Sequence, residues 1–222
     1  MAKELSQSVE DYLKAIYKLD ESGRRVSKSE VATVLGVSAA SVTNMIKKMA
    51  EMGLVKHESY KDVALTETGH RAALEVVRHH RLLETYLREV MGYSWHQMHE
   101  EAEQLEHHIS EVFEKKIDEM LGYPTHDPHG HPIPSLEGDI EFPDTKKLSD
   151  VVPGHALTVH HVEDGDPDVL AYLEQIGLLP QAEVMVVEKA PFDGPVTINI
   201  DNRREVIGNK VAGHIFVIDD GD

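Results

Sequence analysis

Between Ser27 and Leu65 the hydrophobic rhythm of the chain changes period, and this change limits the fold more than any other feature. Ser27-Lys28-Ser29-Glu30 is a capping box, in which a serine hydroxyl and a glutamate three residues on satisfy the free N–H groups that open a helix. Val31, Val34 and Leu35 follow at helical spacing, and Gly36 stops the helix because glycine tolerates the left-handed backbone of a tight turn. Ser38 caps a further helix whose inner face is Val42, Met45, Ile46 and Met49. After Gly53 the pattern becomes short and β-like: Leu54-Val55-Lys56-His57-Glu58, a polar turn near Tyr60-Lys61, then Val63-Ala64-Leu65, which reads as a two-stranded hairpin. Helix, glycine turn, capped helix and hairpin, in that order, are the parts of a winged helix-turn-helix.

An amphipathic helix precedes them, with Val9, Tyr12, Leu13, Ile16 and Leu19 on its inner face, Ser8 placed as N-cap and Gly23 as the stop. A helix that enters the major groove needs small and polar residues on its outer face. Ser38, Ala40, Ser41, Thr43, Asn44 and Lys47 supply them. Asn44 can reach a base edge, Thr43 and Ala40 a thymine methyl, and Lys47, Lys48 and Lys61 the phosphates.

A long helix is expected from about Thr66 to Met91, and Ser94-Trp95-His96-Gln97 is a second capping box opening a helix to about His108. Ser110 starts one more, striped by Val112, Phe113, Ile117, Met120 and Leu121 and closed by Gly122 and Pro124. From Gly122 to about Asp150, proline, glycine and acids mark a linker or extended loop. Beyond Val151 come four short apolar runs, at 156–159, 183–187, 196–200 and 214–218, with one helical stretch over Pro167 to Ile176 and turns at Asp193-Gly194 and Asp201-Asn202. This is a small β-barrel pattern. The expected fold class is therefore α+β and multidomain: a winged helix-turn-helix over 1–75, a helical domain over 76–136, a linker over 137–152 and a β-barrel over 153–222.

The net charge of -18 argues against a phosphate-rich partner until it is placed by residue. Residues 1–75 hold 11 Lys+Arg and 11 Asp+Glu, leaving 11 against 29 in the remainder, so the DNA-reading segment is neutral. There are 0 cysteines, which excludes disulfides, thiolate metal cages and thiol nucleophiles. No stretch approaches the ~18 uncharged apolar residues of a membrane span, and the start lacks a signal core. A soluble, cytoplasmic protein with no membrane partner is expected.

Nine of the 15 histidines fall between His79 and His131. His99, Glu103, Glu106 and His107 repeat at three- and four-residue spacing and would share one helix stripe, and His80 with Glu84 forms a second such pair. Carboxylates and imidazoles without sulfur suit Mn(II) or Fe(II), although Zn(II), Ni(II) and Cu(II) also bind such donors. The bland alternatives are exposed helix-surface pairs and, for Asp11, a place in a capping box. His79, His96, His108, His126, His129 and His131 read as surface residues. Enzyme motifs fail: His99-Glu100-Glu101-Ala102-Glu103 does not close a zincin motif, and Asp164-Gly165-Asp166-Pro167-Asp168 starts an EF-hand-like run but has Val169 where glycine is needed. Asp164 and Asp168 read instead as acidic caps of the helix that follows.

Taken together, the chain resembles the DtxR/MntR family of metal-dependent transcriptional repressors. The resemblance rests on Val9-Glu10-Asp11-Tyr12-Leu13, Val37-Ser38-Ala39-Ala40-Ser41-Val42-Thr43, Arg78-His79-His80-Arg81-Leu82-Leu83-Glu84 and Glu103-Gln104-Leu105-Glu106-His107-His108. Residues 153–222, with Ile176-Gly177-Leu178-Leu179-Pro180, resemble the SH3-like FeoA domain of longer members. It implies that 76–136 is a dimerisation and metal-binding domain, and that a metal-loaded homodimer binds a palindromic double-stranded DNA operator and represses metal-uptake genes. It also implies two metal sites per chain: Asp11, Glu103, Glu106 and His107, and a second of His80, Glu84 and His99 completed by Asp166. Asp11 and Glu103, where iron-responsive members carry Met and Cys, resemble the manganese branch, with Fe(II) the other possibility. Lys14 stands where short manganese-type members have a glutamate, which favours two separated sites over a paired cluster. The competing reading is a metal-independent winged-helix dimer whose acidic tail binds another protein.

Overall fold

The computed structural model describes residues 5–21, 26–57 and 62–219, which divide into two compact units. The first comprises Met1–His80, Leu105–Glu111 and Pro134–Asp139. It opens with α1 (Gln7–Asp20), whose N-cap position is taken by Ser6, not Ser8, without a side-chain cap bond. The expected stop at Gly23 and the turn at Tyr60-Lys61 lie outside the described residues. Next come β1 (Val26–Ser27), α2 (Lys28–Val34), α3 (Ala39–Glu51), β2 (Val55–His57), β3 (Asp62–Leu65) and the start of α4 (Glu67–Glu89).

The capping box at Ser27 forms in both directions: Glu30 N–H donates to Ser27 Oγ (3.2 Å), and Ser27 N–H donates to Glu30 Oε2 (2.8 Å). Ser38 Oγ accepts from Ser41 N–H at 3.1 Å and starts α3. Gly36 has φ +62°, as the tight turn between α2 and α3 requires. Leu13, Ile16, Val31, Val42, Ile46 and Met49 form the core beneath. The wing is a three-stranded sheet ordered β1-β3-β2, in which Val26 pairs with Val63. β1 is too short to leave a period in the sequence.

The second unit comprises Arg81–Gln104, Val112–Ile133 and Ile140–Asp222. α5 (Trp95–Leu105) ends three residues before His108, so Glu106 and His107 sit in the turn after the helix. α6 (Glu111–Met120) follows. The C-terminal part is a six-stranded antiparallel sheet ordered β4-β9-β5-β6-β7-β8. Its elements are β4 (Lys146–Lys147), β5 (Ala156–Val162), α7 (Pro167–Ile176), β6 (Glu183–Lys189), β7 (Val196–Ile200), β8 (Arg203–Ile207), α8 (Asn209–Ala212) and β9 (Ile215–Asp219). Leu157, Val159, Leu173, Val186, Ile198 and Val217 are buried between its layers. β7 and β8 are joined by Asp201 and Asn202, both at positive φ, the conformation of a two-residue type I′ hairpin. Asp166, rather than Asp164 or Asp168, caps α7, its Oδ1 accepting from Asp168 N–H (3.1 Å) and Val169 N–H (3.4 Å).

Part of the Pro- and Gly-rich stretch is an ordered loop. His126 bridges to Pro132, and Val162 N–H on β5 donates to the His129 carbonyl at 3.0 Å. Gly130 lies at φ +88°, and a Cβ there would come within 2.1 Å of the His160 carbonyl oxygen. Only glycine permits this approach. Among the described residues no helix is long and apolar enough to cross a membrane.

Candidate metal centre and DNA-reading face

In the first unit, α1 and the turn after α5 bring Asp11, Glu106 and His107 together, with one ligand atom from each lying within 4.8 Å of the others. Asp11 follows from the helical register: it stands beside the buried Tyr12 on the edge of the apolar face. His107 is almost fully buried; its Nδ1 is fixed by the Glu10 carboxylate at 2.6 Å, which aims Nε2 at Asp11 Oδ1 (2.9 Å) and Glu106 Oε1 (3.4 Å). Nε2 is nevertheless buried without a hydrogen bond, because the approach is out of line for an N–H donor. Two carboxylates and an imidazole nitrogen converging on one space, with the second ring nitrogen held by a carboxylate, are a donor set that fits a divalent cation of the Mn(II)/Fe(II) class.

Glu106 has further partners. Lys14 Nζ lies 2.7 and 2.9 Å from its two oxygens, and His80 Nδ1 lies 2.6 Å from Oε2. The structure therefore places His80 on the Glu106 carboxylate, beside a buried ammonium. Glu103 is exposed on α5 and lies 3.9 Å from His99 Nε2.

In the second unit, Glu84 and His99 do meet, at 2.8 Å between Oε1 and Nδ1. The sequence reading missed their company. His129, assigned to the surface, is fully buried; its Nδ1 is 3.4 Å from Glu84 Oε2, and its ring stands edge-on to Trp95 at 4.9 Å. Asp127 Oδ1 accepts from the backbone N–H of His129 and of His131, each at 2.9 Å, while Oδ2 makes no hydrogen bond. Asp127, His129 and His131 form a second group with ligand atoms within 4.8 Å of one another. Burial alone would lower the His129 pKa, but the carboxylates of Glu84, Asp127 and Asp164 outweigh it and raise the value to about 9. Burial would raise the Asp127 pKa, and His131 and His129 hold it below the ordinary carboxylate range. Both His129 ring nitrogens lack hydrogen bonds. Asp166 is occupied as the cap of α7. The available signal was ligand-type residues at positions i, i+2 and i+4 around a glycine, hidden inside loop-like composition.

On α3, Ser38, Ala40, Ser41, Thr43, Asn44, Lys47 and Lys48 are all exposed. The hydroxyls of Ser38 and Ser41 bond each other at 2.9 Å and Thr43 Oγ1 donates to the Ala39 carbonyl at 2.9 Å, which, among the described residues, leaves Asn44, Lys47 and Lys48 with the uncommitted polar ends. Lys61 lies outside the described residues. A capped helix displayed beside a β wing, in a chain that also assembles a carboxylate-imidazole cluster, defines a DNA-binding protein of the metal-regulated kind.

Comparisons with known proteins agree. Residues 4–63 match the model of the iron dependent repressor N-terminal DNA binding domain, 66–135 that of the iron dependent repressor metal binding and dimerisation domain, and 146–219 that of the FeoA domain. The iron-dependent repressor IdeR of Mycobacterium tuberculosis (strain ATCC 25618 / H37Rv) is 33% identical over 216 residues, covering 91% of this chain and 93% of that protein. The diphtheria toxin repressor of Corynebacterium diphtheriae is 27% identical over 207 residues, covering 89% and 90%. A solved structure of a manganese-dependent transcriptional repressor in complex with manganese superposes with a TM-score of 0.89 at 39% identity, covering 95% of this chain and 99% of that one. The chain belongs to the iron-dependent repressor family. It is a metal-dependent DNA-binding transcriptional repressor, not an enzyme.

Proposed function

We propose that this chain is a cytoplasmic, Mn(II)-responsive repressor that acts as a metal-loaded homodimer on a palindromic operator controlling metal-uptake genes. The carrying observation is the buried Nε2 of His107, aimed between the Asp11 and Glu106 carboxylates without a hydrogen bond. Asp11, Glu106 and His107 would hold the ion. Hard oxygen donors and the lack of any thiolate support Mn(II), with Fe(II) as the second candidate. The bound cation would supply positive charge that screens these carboxylates from one another.

The residues do the rest. Glu10 orients His107, and Asp11 ties α1 of the DNA-reading segment to the turn carrying Glu106 and His107. Narrowing the positions open to α1 narrows those of α2 packed on it and, through α2, those of the recognition helix. In a dimer this would favour the ~34 Å spacing of successive major-groove half-sites. The exposed Val112, Phe113 and Met120 on α6 give a second copy an apolar surface to cover. A second ion would be held in the other unit by Glu84, Asp127 and His129 with His99 close by. For domain limits we retain 1–75, 76–136, the linker 137–152 and 153–222.

The test is fluorescence anisotropy on the protein's own promoter DNA, with chelator and with Mn(II). Binding should tighten at least tenfold with Mn(II) and lose that gain in His107→Ala. Equal affinity in both conditions would establish the metal-independent module instead.

A further inference from the structure

Four histidines of the second unit gather around β5. Consecutive side chains of a regular strand point to opposite faces. Along β5 the register against β9 jumps from Val159↔Val217 to His161↔Phe216, so His160 is an extra residue, a β-bulge. The bulge brings His160 Nδ1 and His161 Nδ1 to 3.0 Å, although the two residues are adjacent in sequence. Two nitrogens bound tetrahedrally at ~2.0–2.1 Å from one ion are separated by about 3.3 Å, close to this value.

The neighbours reinforce the pair. The His131 ring centre lies 5.2 Å from that of His161, and His126 lies 5.6 Å from His160. His161 is stacked on Phe216 at 4.3 Å, which fixes its ring plane. The loop bearing His126 and His131 is anchored to β5 through Val162 N–H and Gly130. Arg81 faces Asp127 at 3.6 Å, so the carboxylate offsets that guanidinium. Burial and the neighbouring histidines lower the pKa of both His160 and His161, leaving the neutral rings that metals require.

We propose that His160 and His161, closed by His126 and His131 from the loop, form a further transition-metal site for a Zn(II), Ni(II) or Cu(II) ion. Its donors are nitrogen only. That set favours these ions over Mn(II) and separates it chemically from the carboxylate-bearing centres.

The experiment uses the full chain saturated with Mn(II) and titrated with Zn(II), read by native mass spectrometry and calorimetry. One additional Zn(II) per chain should bind while the Mn(II) count stays constant. His160→Gln and His161→Gln should each weaken that event at least tenfold. His126→Gln, which leaves the strand untouched, should weaken it as well, with circular dichroism verifying the fold of all three. X-ray absorption at the zinc edge should show a first shell of nitrogen with imidazole scattering. Zn(II) entering only by displacing Mn(II), or an extra Zn(II) held equally well by all three variants, overturns the proposal. Because the Mn(II) count is read separately, failure here leaves the manganese reading intact, and failure of that reading appears as absent Mn(II).

Discussion

Replacing Lys14 by methionine separates the work of a built-in ammonium from that of a bound metal. Lys14 Nζ is 2.7 Å from Glu106 Oε2, with the two side chains 7% and 0% exposed. At an effective dielectric of about 20 their gross attraction is about 6 kcal/mol. Removing one member of such a buried pair strands the other, at a net cost of about 3–5 kcal/mol. Methionine keeps most of the stem volume, so little of this loss comes from a cavity. Metal-free Lys14→Met should therefore unfold about 3–5 kcal/mol more easily in urea. Saturating Mn(II) should restore most of the difference by presenting a cation to the same carboxylate. The variant should also bind Mn(II) at least tenfold more tightly in calorimetry, because no ammonium competes for Glu106. A metal-free stability within about 0.5 kcal/mol of the parent, the range of an ordinary surface change, would refute the reasoning. So would a loss that Mn(II) does nothing to reduce.

Asn44→Ala should cost about 1–3 kcal/mol of operator affinity and relax preference at one base pair, whereas Lys47→Ala should weaken all DNA evenly and reduce the salt slope by about 1; anisotropy at several salt concentrations distinguishes the two. The His129 pKa is raised from 6.5 to about 9 on folding, so the protonated ring stabilises the metal-free protein fully below pH 6.5 and the gain is lost as pH rises through about 9. Urea denaturation in chelator should show that loss, on the order of 3 kcal/mol, and His129→Gln should flatten it; an equal slope in both proteins counts against the buried carboxylate contacts. Gly130→Ala should destabilise by more than about 2 kcal/mol, since it adds left-handed strain to a collision with the His160 carbonyl, and a thermal midpoint equal to the parent's would contradict that packing.

The elements most legible in the sequence were those whose signals are local. The capping boxes at Ser27 and Ser94, the glycine turn at Gly36 and the apolar face of α3 each depend on residues within a few positions of one another. β1 escaped because two residues carry no period, and β8 because Arg203-Arg204-Glu205 shows no apolar run even though it is hydrogen-bonded throughout to β7. The stripe of ligand-type residues identified Glu106 and His107 for a partly wrong reason: α5 ends at Leu105, and these two act from a turn. Contacts across long sequence separations were the least accessible. Nothing near Lys14 announces Glu106, and nothing near His129 announces Glu84; proximity of that kind is created by folding, not by pattern.

The loop clamped onto β5 changes what a cut chain would do. Residues 141–144 are exposed and offer a protease its opening. Cleavage there severs the covalent path from the helices to the six-stranded sheet, yet Arg88 still meets Glu174 at 2.8 Å and the His129 carbonyl still accepts from Val162. A nicked molecule should elute as one particle until denaturant is added. Deleting everything after Thr145 is a different injury, for it strips the cover from the loop that buries His129. A truncated gene product would thus be a protein with an unroofed histidine, and not the long form relieved of a passenger.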